Sequence, residues 1–265
     1  MNAFKKFEEI REKNNSILCV GLDSEIEKLP VKFKRDVASL FDFNRVIIDA
    51  TKDLICAYKI NFAFYEQYGI EGFEVLKKTF EYIPENVFTI ADAKRGDIGN
   101  TSKAYAKSCF EYFGADSITV SPYMGKDSVQ PFLDYHDKMV FILALTSNKG
   151  SMDFQRLISD EKPLFNHIIN KSMTWANHEN IGYVVGATHP NVLKELRDSI
   201  PNNCFLIPGI GAQGGSIEDT IKANSNGPAI INVSRSIIFA SDALDFELSV
   251  REKALYYKQS FNQFM

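Results

Sequence analysis

Short apolar, β-branched runs recur along the whole chain. They cover residues 17–22, 54–60, 87–91, 117–120, 140–145, 181–185, 204–207 and 229–233. Each has about the length of a buried strand and is followed by polar or Gly/Pro residues. Apolarity within the runs is nearly continuous, which predicts parallel strands covered on both faces. Helical patterns lie between them. Phe64, Tyr68, Leu76 and Phe80 fall near helical spacing within 64–82, and 100–113 opens on the capping-type residues Asn100 and Thr101. Segments 190–200 and 216–223 read as crossover helices, with Ser216 and Asp219 spaced as a capping box. Eight alternations of strand and helix predict an α/β fold, a single (β/α)8 TIM barrel over residues 1–265. A doubly wound open sheet is the alternative. Segment 148–162 is polar, contains glycine and is longer than an ordinary connection, so it reads as a mobile loop able to cover a site.

Composition narrows the functional classes. Hydrophobic residues make up 45% and charged residues 24%, proportions of a globular protein with a sizeable core. Thirty Lys+Arg against 34 Asp+Glu give a formal net charge of −4, so no overall basic field attracts nucleic acid or an anionic membrane. No apolar run approaches the roughly 18 residues that span a bilayer, and the charged N-terminus lacks a signal-peptide core. The expected location is the cytoplasm. Cys19, Cys56, Cys109 and Cys204 lie far apart, three of them in or beside strand-like runs, and read as buried and reduced. The histidines form no His-Glu-x-x-His pattern, and no metal site is expected.

In such barrels the catalytic groups sit at the C-terminal strand ends. The residues there are Asp23 after the first run, Lys59-Ile60-Asn61 at the end of the second, and Asp92-Ala93-Lys94-Arg95-Gly96-Asp97 after the third. Ser121-Pro122, Thr146-Ser147-Asn148 and Thr188-His189 follow the next three runs, then the 208–215 segment, and finally Ser234-Arg235. Lys59 and Asn61 are two apart, as are Asp92 and Lys94, so each pair would share a strand face. Pointing into a barrel mouth they would form a poorly solvated Asp/Lys cluster. An ammonium between carboxylates suits a general acid better than a Schiff-base lysine. The same charge pattern also serves a buried ion-pair network that closes the barrel end. Loops after strands seven and eight are the usual phosphate site of this fold. There the glycines of 208–215 permit close backbone approach and Arg235 offers a bidentate clamp. A plain glycine turn beside a surface arginine is the bland alternative.

The segment Asp92-Ala93-Lys94-Arg95-Gly96-Asp97-Ile98-Gly99-Asn100-Thr101 resembles the orotidine 5′-phosphate decarboxylase family, which carries Asp-x-Lys-x-x-Asp at its third strand. The resemblance extends over almost the whole chain, through Asp23, Lys59-Ile60-Asn61, 208–215 and Ser234-Arg235. This form of the motif is similar to a branch found in many bacteria and some parasites. A phosphoribosyltransferase domain fused to the decarboxylase in some eukaryotes has no room here.

The resemblance implies conversion of orotidine 5′-phosphate to uridine 5′-phosphate and CO2, the last step of de novo pyrimidine biosynthesis, with no cofactor. It implies an array of Lys59, Asp92, Lys94 and Asp97. Lys94 would protonate C6, Asp92 would stand beside the departing carboxylate, and Asp97 would come from the partner in a homodimer with shared active sites. Asp23 and Lys59, with Thr101 of the second chain, would bind the ribose, and Asn61 would be a nearby polar contact. Gln213 and Arg235 would hold the phosphate, with Ile98, Pro208, Gly214 and Ser234 as neighbouring contacts. Ser147 and Asn148 are both candidates to read the pyrimidine.

Three other readings remain at this point. One is a Mg²⁺-dependent superfamily lyase of the keto-gulonate-phosphate decarboxylase or hexulose-phosphate synthase type. The second is a Schiff-base aldolase using Lys59 or Lys94. The third is a non-catalytic nucleotide-binding barrel.

Overall fold

Eight parallel strands form a closed barrel in a computed structural model that describes residues 2–211 and 214–265. They are β1 (Leu18–Gly21), β2 (Ala57–Asn61), β3 (Phe88–Arg95), β4 (Ser117–Val120), β5 (Met139–Leu145), β6 (Ile181–Val185), β7 (Phe205–Pro208) and β8 (Ala229–Val233). Each strand lies beside its neighbours in sequence, and β1 pairs with both β2 and β8, which closes the ring and excludes the open sheet. Every residue of β1, β4, β6 and β8 is buried, as unbroken apolar runs require when helices cover the outside.

The register brings charged strand ends together. Gly21 is level with Lys59, Lys59 with Ile90, and Asn61 with Asp92. The run expected to start at 54 becomes strand only at Ala57. Leu54 and Cys56 are instead tied down by the carbonyls of Thr51 and Leu18 as the chain turns into the barrel. Strand β3 continues four residues beyond the last apolar position of its run, because Asp92, Lys94 and Arg95 each find a partner at the strand end.

The outer helices bury one stripe each. In α2 (Ala38–Thr51) the buried positions are Leu40, Phe43, Asn44, Ile47, Ile48 and Thr51, spaced three and four apart. Phe43 stacks on Phe246 of α12 (Phe246–Asn262) and on Phe239, with centroids 5.6 Å apart in both pairs. Burial of such a ring contributes about 2–3 kcal/mol. Helix α1 (Ala3–Asn14) lies across the N-terminal end of the barrel. Its Ala3 N–H donates to the Asp137 carbonyl ahead of β5, Lys6 pairs with Asp116 ahead of β4, and Phe7 packs on Phe88 at the start of β3.

Two helix expectations need correction. The 64–82 segment is two helices, α3 (Ala63–Glu66) and α4 (Gly69–Tyr82), broken where Gly69 takes φ 60°. The helix after β3, α5 (Gly99–Lys107), begins one residue early and runs into a π-helical turn at Ser108–Tyr112. Asn100 and Thr101 lie inside it, and the N-cap position belongs to Ile98, whose side chain cannot cap. By contrast, Ser216 caps α10 (Ile217–Asn224) by accepting from the Asp219 N–H at 3.2 Å. Segment 148–162 carries structure of its own, the short helix α7 (Ser151–Phe154) and a two-residue strand pairing, Ile158–Ser159 with Lys162–Pro163. Among the described residues, no helix is long and apolar enough to cross a membrane. All four cysteines are free and buried.

Candidate active site

A cavity of about 430 Å³ opens at the C-terminal end of the barrel, a volume suited to a small-molecule ligand. Asp23, Lys59, Asp92, Lys94 and Thr119 line one side. Pro208 at the end of β7, Gly209 beyond it, and Ser234 and Arg235 after β8 line another part, with Thr146, Ser147 and Asn148 after β5. Leu143, Val184, Leu206 and Ile210 supply apolar wall.

Asp92 is the hub. Its Oδ2 accepts from Lys59 Nζ at 2.7 Å, and its Oδ1 accepts from Lys94 Nζ at 2.6 Å and from the Thr119 hydroxyl at 2.9 Å. Lys59 Nζ also reaches Asp23 Oδ1 at 3.5 Å. Burial alone would raise the Asp92 pKa, but the charges of Lys59 and Lys94 and their hydrogen bonds outweigh it and hold the carboxyl well below the usual carboxylate range. Burial alone would likewise pull Lys59 down. Asp23 and Asp92 reverse that and hold its ammonium above the usual lysine range. The side chains of Lys59 and Asp92 are 6% and 7% exposed, whereas that of Lys94 is 50% exposed. Asp92 therefore holds the Lys94 ammonium from one side and leaves it facing the cavity on the other.

Strand alternation is not what brings Lys94 onto Asp92. Lys94 has φ 47°, and the register of β3 against β4 shifts between Ala91 and Arg95. A non-glycine residue in that region costs on the order of 1–3 kcal/mol and persists only where its surroundings enforce it. Thr119 helps to do so, because its hydroxyl accepts from the Lys94 N–H at 3.0 Å while donating to Asp92.

Arg95 belongs to packing. It pairs with Glu66 of α3 and lies over the rings of Phe62 and Tyr105 at 5.7 and 5.1 Å. Asp23 stands between two locked residues. The Leu22 carbonyl accepts from Tyr65 at 2.8 Å, and Ser24 donates to Asn44 at 2.6 Å. Asn44 in turn donates to Tyr65 and Thr79, at 2.9 and 3.0 Å.

The sequence-based site is thus only partly assembled within one chain. Asn61 does not line the cavity, because its Oδ1 accepts from the Ala63 N–H as the chain turns into α3. Asp97, Ile98 and Thr101 also lie off it. The Asp97 carboxylate accepts from the Ile98 N–H at 2.8 Å, and Ile98 and Thr101 are exposed. Ser234 lines the cavity, yet its hydroxyl proton is committed to the Gly21 carbonyl at 2.9 Å, which ties β8 to β1. Arg235 opens the short helix α11 (Arg235–Ile238) and is not in an open loop. Gly214 does not line the cavity, and its N–H donates to the Gly211 carbonyl. Gln213 lies outside the described residues. Thr119, Asn232 and Ser236 line the cavity without having stood out in the sequence, since a lone threonine or asparagine in a strand or a serine after one carries no local signal.

Known proteins resemble this chain in sequence and in fold. A family model described as "Orotidine 5'-phosphate decarboxylase / HUMPS family" matches residues 16–245. The orotidine 5′-phosphate decarboxylase of Christiangramia forsetii is 52% identical over 239 residues, covering 88% of each chain. The solved structure of Leishmania donovani OMP decarboxylase superposes with a TM-score of 0.88 at 36% identity, covering 100% of this chain and 99% of that one. Leishmania donovani UMP synthase gives 0.90 at 38% identity, where this whole chain corresponds to 56% of the longer one.

Proposed function

The chain belongs to the orotidine 5′-phosphate decarboxylase / HUMPS family, and on that premise we infer that it converts orotidine 5′-phosphate to uridine 5′-phosphate and CO2, the last step of de novo pyrimidine biosynthesis. One observation carries the chemistry. A buried, ionised Asp92 is clamped between Lys59 and Lys94, with the Lys94 ammonium facing a cavity also lined by Arg235.

The phosphate lies against Arg235 and the backbone after β7, and the ribose hydroxyls against Asp23 and Lys59. The pyrimidine then reaches the array with its carboxylate beside Asp92. The bond from C6 to the carboxyl carbon breaks and its electron pair stays at C6. Lys94 Nζ stabilises that charge and gives C6 a proton, and solvent restores the ammonium afterwards. Since the network positions the ammonium before substrate arrives, little reorganisation accompanies the step. Phosphate contacts far from C6 raise the rate to the extent that they help to close the site.

The active form in this reading is a cytoplasmic homodimer. Asp97 and Thr101 sit outside their own chain's cavity, and Ile98, Tyr123 and Met124 are exposed on the connections after β3 and β4. A two-fold interface over that surface would bury these side chains and carry each Asp97 to the opposite cavity. The buried, reduced cysteines fit a reducing compartment.

The test is incubation with orotidine 5′-phosphate and identification of products by mass spectrometry. Uridine 5′-phosphate and CO2 in equal amounts are expected. Intact substrate after prolonged incubation would overturn the reading.

A further inference from the structure

Gln155, just beyond α7, folds back onto the strand end that the chain has left nine residues earlier. Its Oε1 accepts from the Thr146 backbone N–H at 2.8 Å, and its Nε2 donates to Thr146 Oγ1 at 2.9 Å. Thr146 Oγ1 in turn lies 2.6 Å from Asn148 Oδ1. Thr146 and Asn148 both line the cavity, while Gln155 does not.

The polarity of this chain of hydrogen bonds follows from one fixed group. A backbone N–H can only donate, so Gln155 must turn its oxygen toward it and its NH2 toward the threonine hydroxyl. That hydroxyl has a single proton. It has two acceptors within reach, Gln155 Oε1 at 3.2 Å and Asn148 Oδ1 at 2.6 Å, and gives the proton to the nearer, so Asn148 presents Oδ1. The N–H groups on Nδ2 are then what Asn148 can offer a ligand. Gly150 leaves them uncovered, since a Cβ built there would stand 3.1 Å from Nδ2.

We propose that Gln155 is a positioning residue that acts through Thr146 to fix the amide of Asn148 as a hydrogen-bond donor, so that the site selects a base edge carrying an acceptor, a ring carbonyl oxygen, over one carrying an amino group. The inference rests on the pyrimidine nucleotide reading given above. A base with a carbonyl at this edge meets a ready donor. An amino group there meets a second donor and leaves both unpaired.

The experiment measures inhibition constants of uridine 5′-phosphate, cytidine 5′-phosphate and ribose 5-phosphate for the intact protein and for Gln155→Glu and Gln155→Met. The carboxylate introduced by Gln155→Glu can still accept from the Thr146 N–H, but its second oxygen also accepts. The threonine hydroxyl then turns away from Asn148, whose amide is free to rotate. The intact protein should favour the uridine nucleotide, and in both variants that preference should fall about tenfold or more. Ribose 5-phosphate should bind as before. General loosening of the segment would weaken all three ligands in parallel and leave the ratio unchanged. An unchanged ratio in Gln155→Glu, or in Gln155→Met should the first variant not fold, overturns the proposal, as does an intact protein without the preference. Turnover of orotidine 5′-phosphate by the intact protein is scored separately, so failure of the functional reading is distinguishable from failure of this one.

Discussion

Lys94 meets Asp92 across 2.6 Å from a backbone at φ 47°, a conformation that strand residues do not ordinarily adopt. The Lys59 ammonium on the other carboxylate oxygen and the Thr119 hydroxyl on the same one hold Asp92 still, so the Lys94 ammonium projects from a rigid base. In the proposed mechanism Lys94→Ala removes both the C6 proton donor and the facing charge. We expect kcat to fall by about a thousandfold or more, about 4 kcal/mol of barrier, with the thermal midpoint little changed. A variant that kept more than about a tenth of kcat would remove Lys94 from the chemistry.

The pH dependence follows from two opposite shifts. The Asp92 carboxyl is depressed in the fold, so its stabilising contribution is present above its unfolded pKa of about 4 and is lost as pH falls through the lower folded value. Lys59 is raised, so its contribution is present below its unfolded pKa of about 10 and is lost as pH rises through the higher folded value. Both groups therefore hold constant charge between about pH 5 and pH 9. Profiles of kcat/KM over that range should show no limb belonging to either. A limb that disappears in Asp92→Asn would contradict the clamped array.

Much of this was readable in the chain. Segments 117–120, 181–185 and 229–233 coincide with β4, β6 and β8, because a run buried on both faces is marked by its own apolarity. The charged strand ends were legible because Lys and Asp side by side in apolar surroundings require partners. Contacts made across the fold were not. Thr119 sits unmarked in an apolar run, and Gln155 returns to Thr146 through a turn whose path the polar composition of 148–162 does not encode. The left-handed backbone of Lys94 was also hidden, since lysine is a poor residue for that region and only neighbouring strands impose it.

Arg235→Ala should act mainly on binding. In the proposed reading it removes a charge-assisted contact to a group that does not react, so KM for orotidine 5′-phosphate should rise about a hundredfold, about 2.7 kcal/mol, with a smaller change in kcat. Guanidinium ion in solution should restore part of the loss. An unchanged KM would take Arg235 out of the site.

Asn44 links Ser24, Tyr65 and Thr79 in one buried network beneath Asp23. Asn44→Leu leaves the Ser24 hydroxyl without its acceptor and the Tyr65 and Thr79 oxygens without the amide donor, and should cost about 2–4 kcal/mol in chemical denaturation, with a rise in KM as Asp23 loses its support. Full retention of stability would mean that the network is not what holds this strand end.

The proposed sharing of sites across a dimer predicts complementation. Lys94→Ala and Asp97→Ala homodimers should each be nearly inactive. In mixed dimers one site carries both defects and the other carries neither. Activity should therefore return once chain exchange is shown by mass-tagged subunits. Exchange without recovery would confine Asp97 to its own chain.

If the fixed ammonium of Lys94 suffices for decarboxylation without a metal, protein dialysed against EDTA and assayed in excess chelator should consume orotidine 5′-phosphate at the full rate of the undialysed protein, with one uridine 5′-phosphate formed for each substrate consumed. A rate that collapses in chelator and returns with Mg²⁺ would contradict it, and so would the absence of any substrate loss.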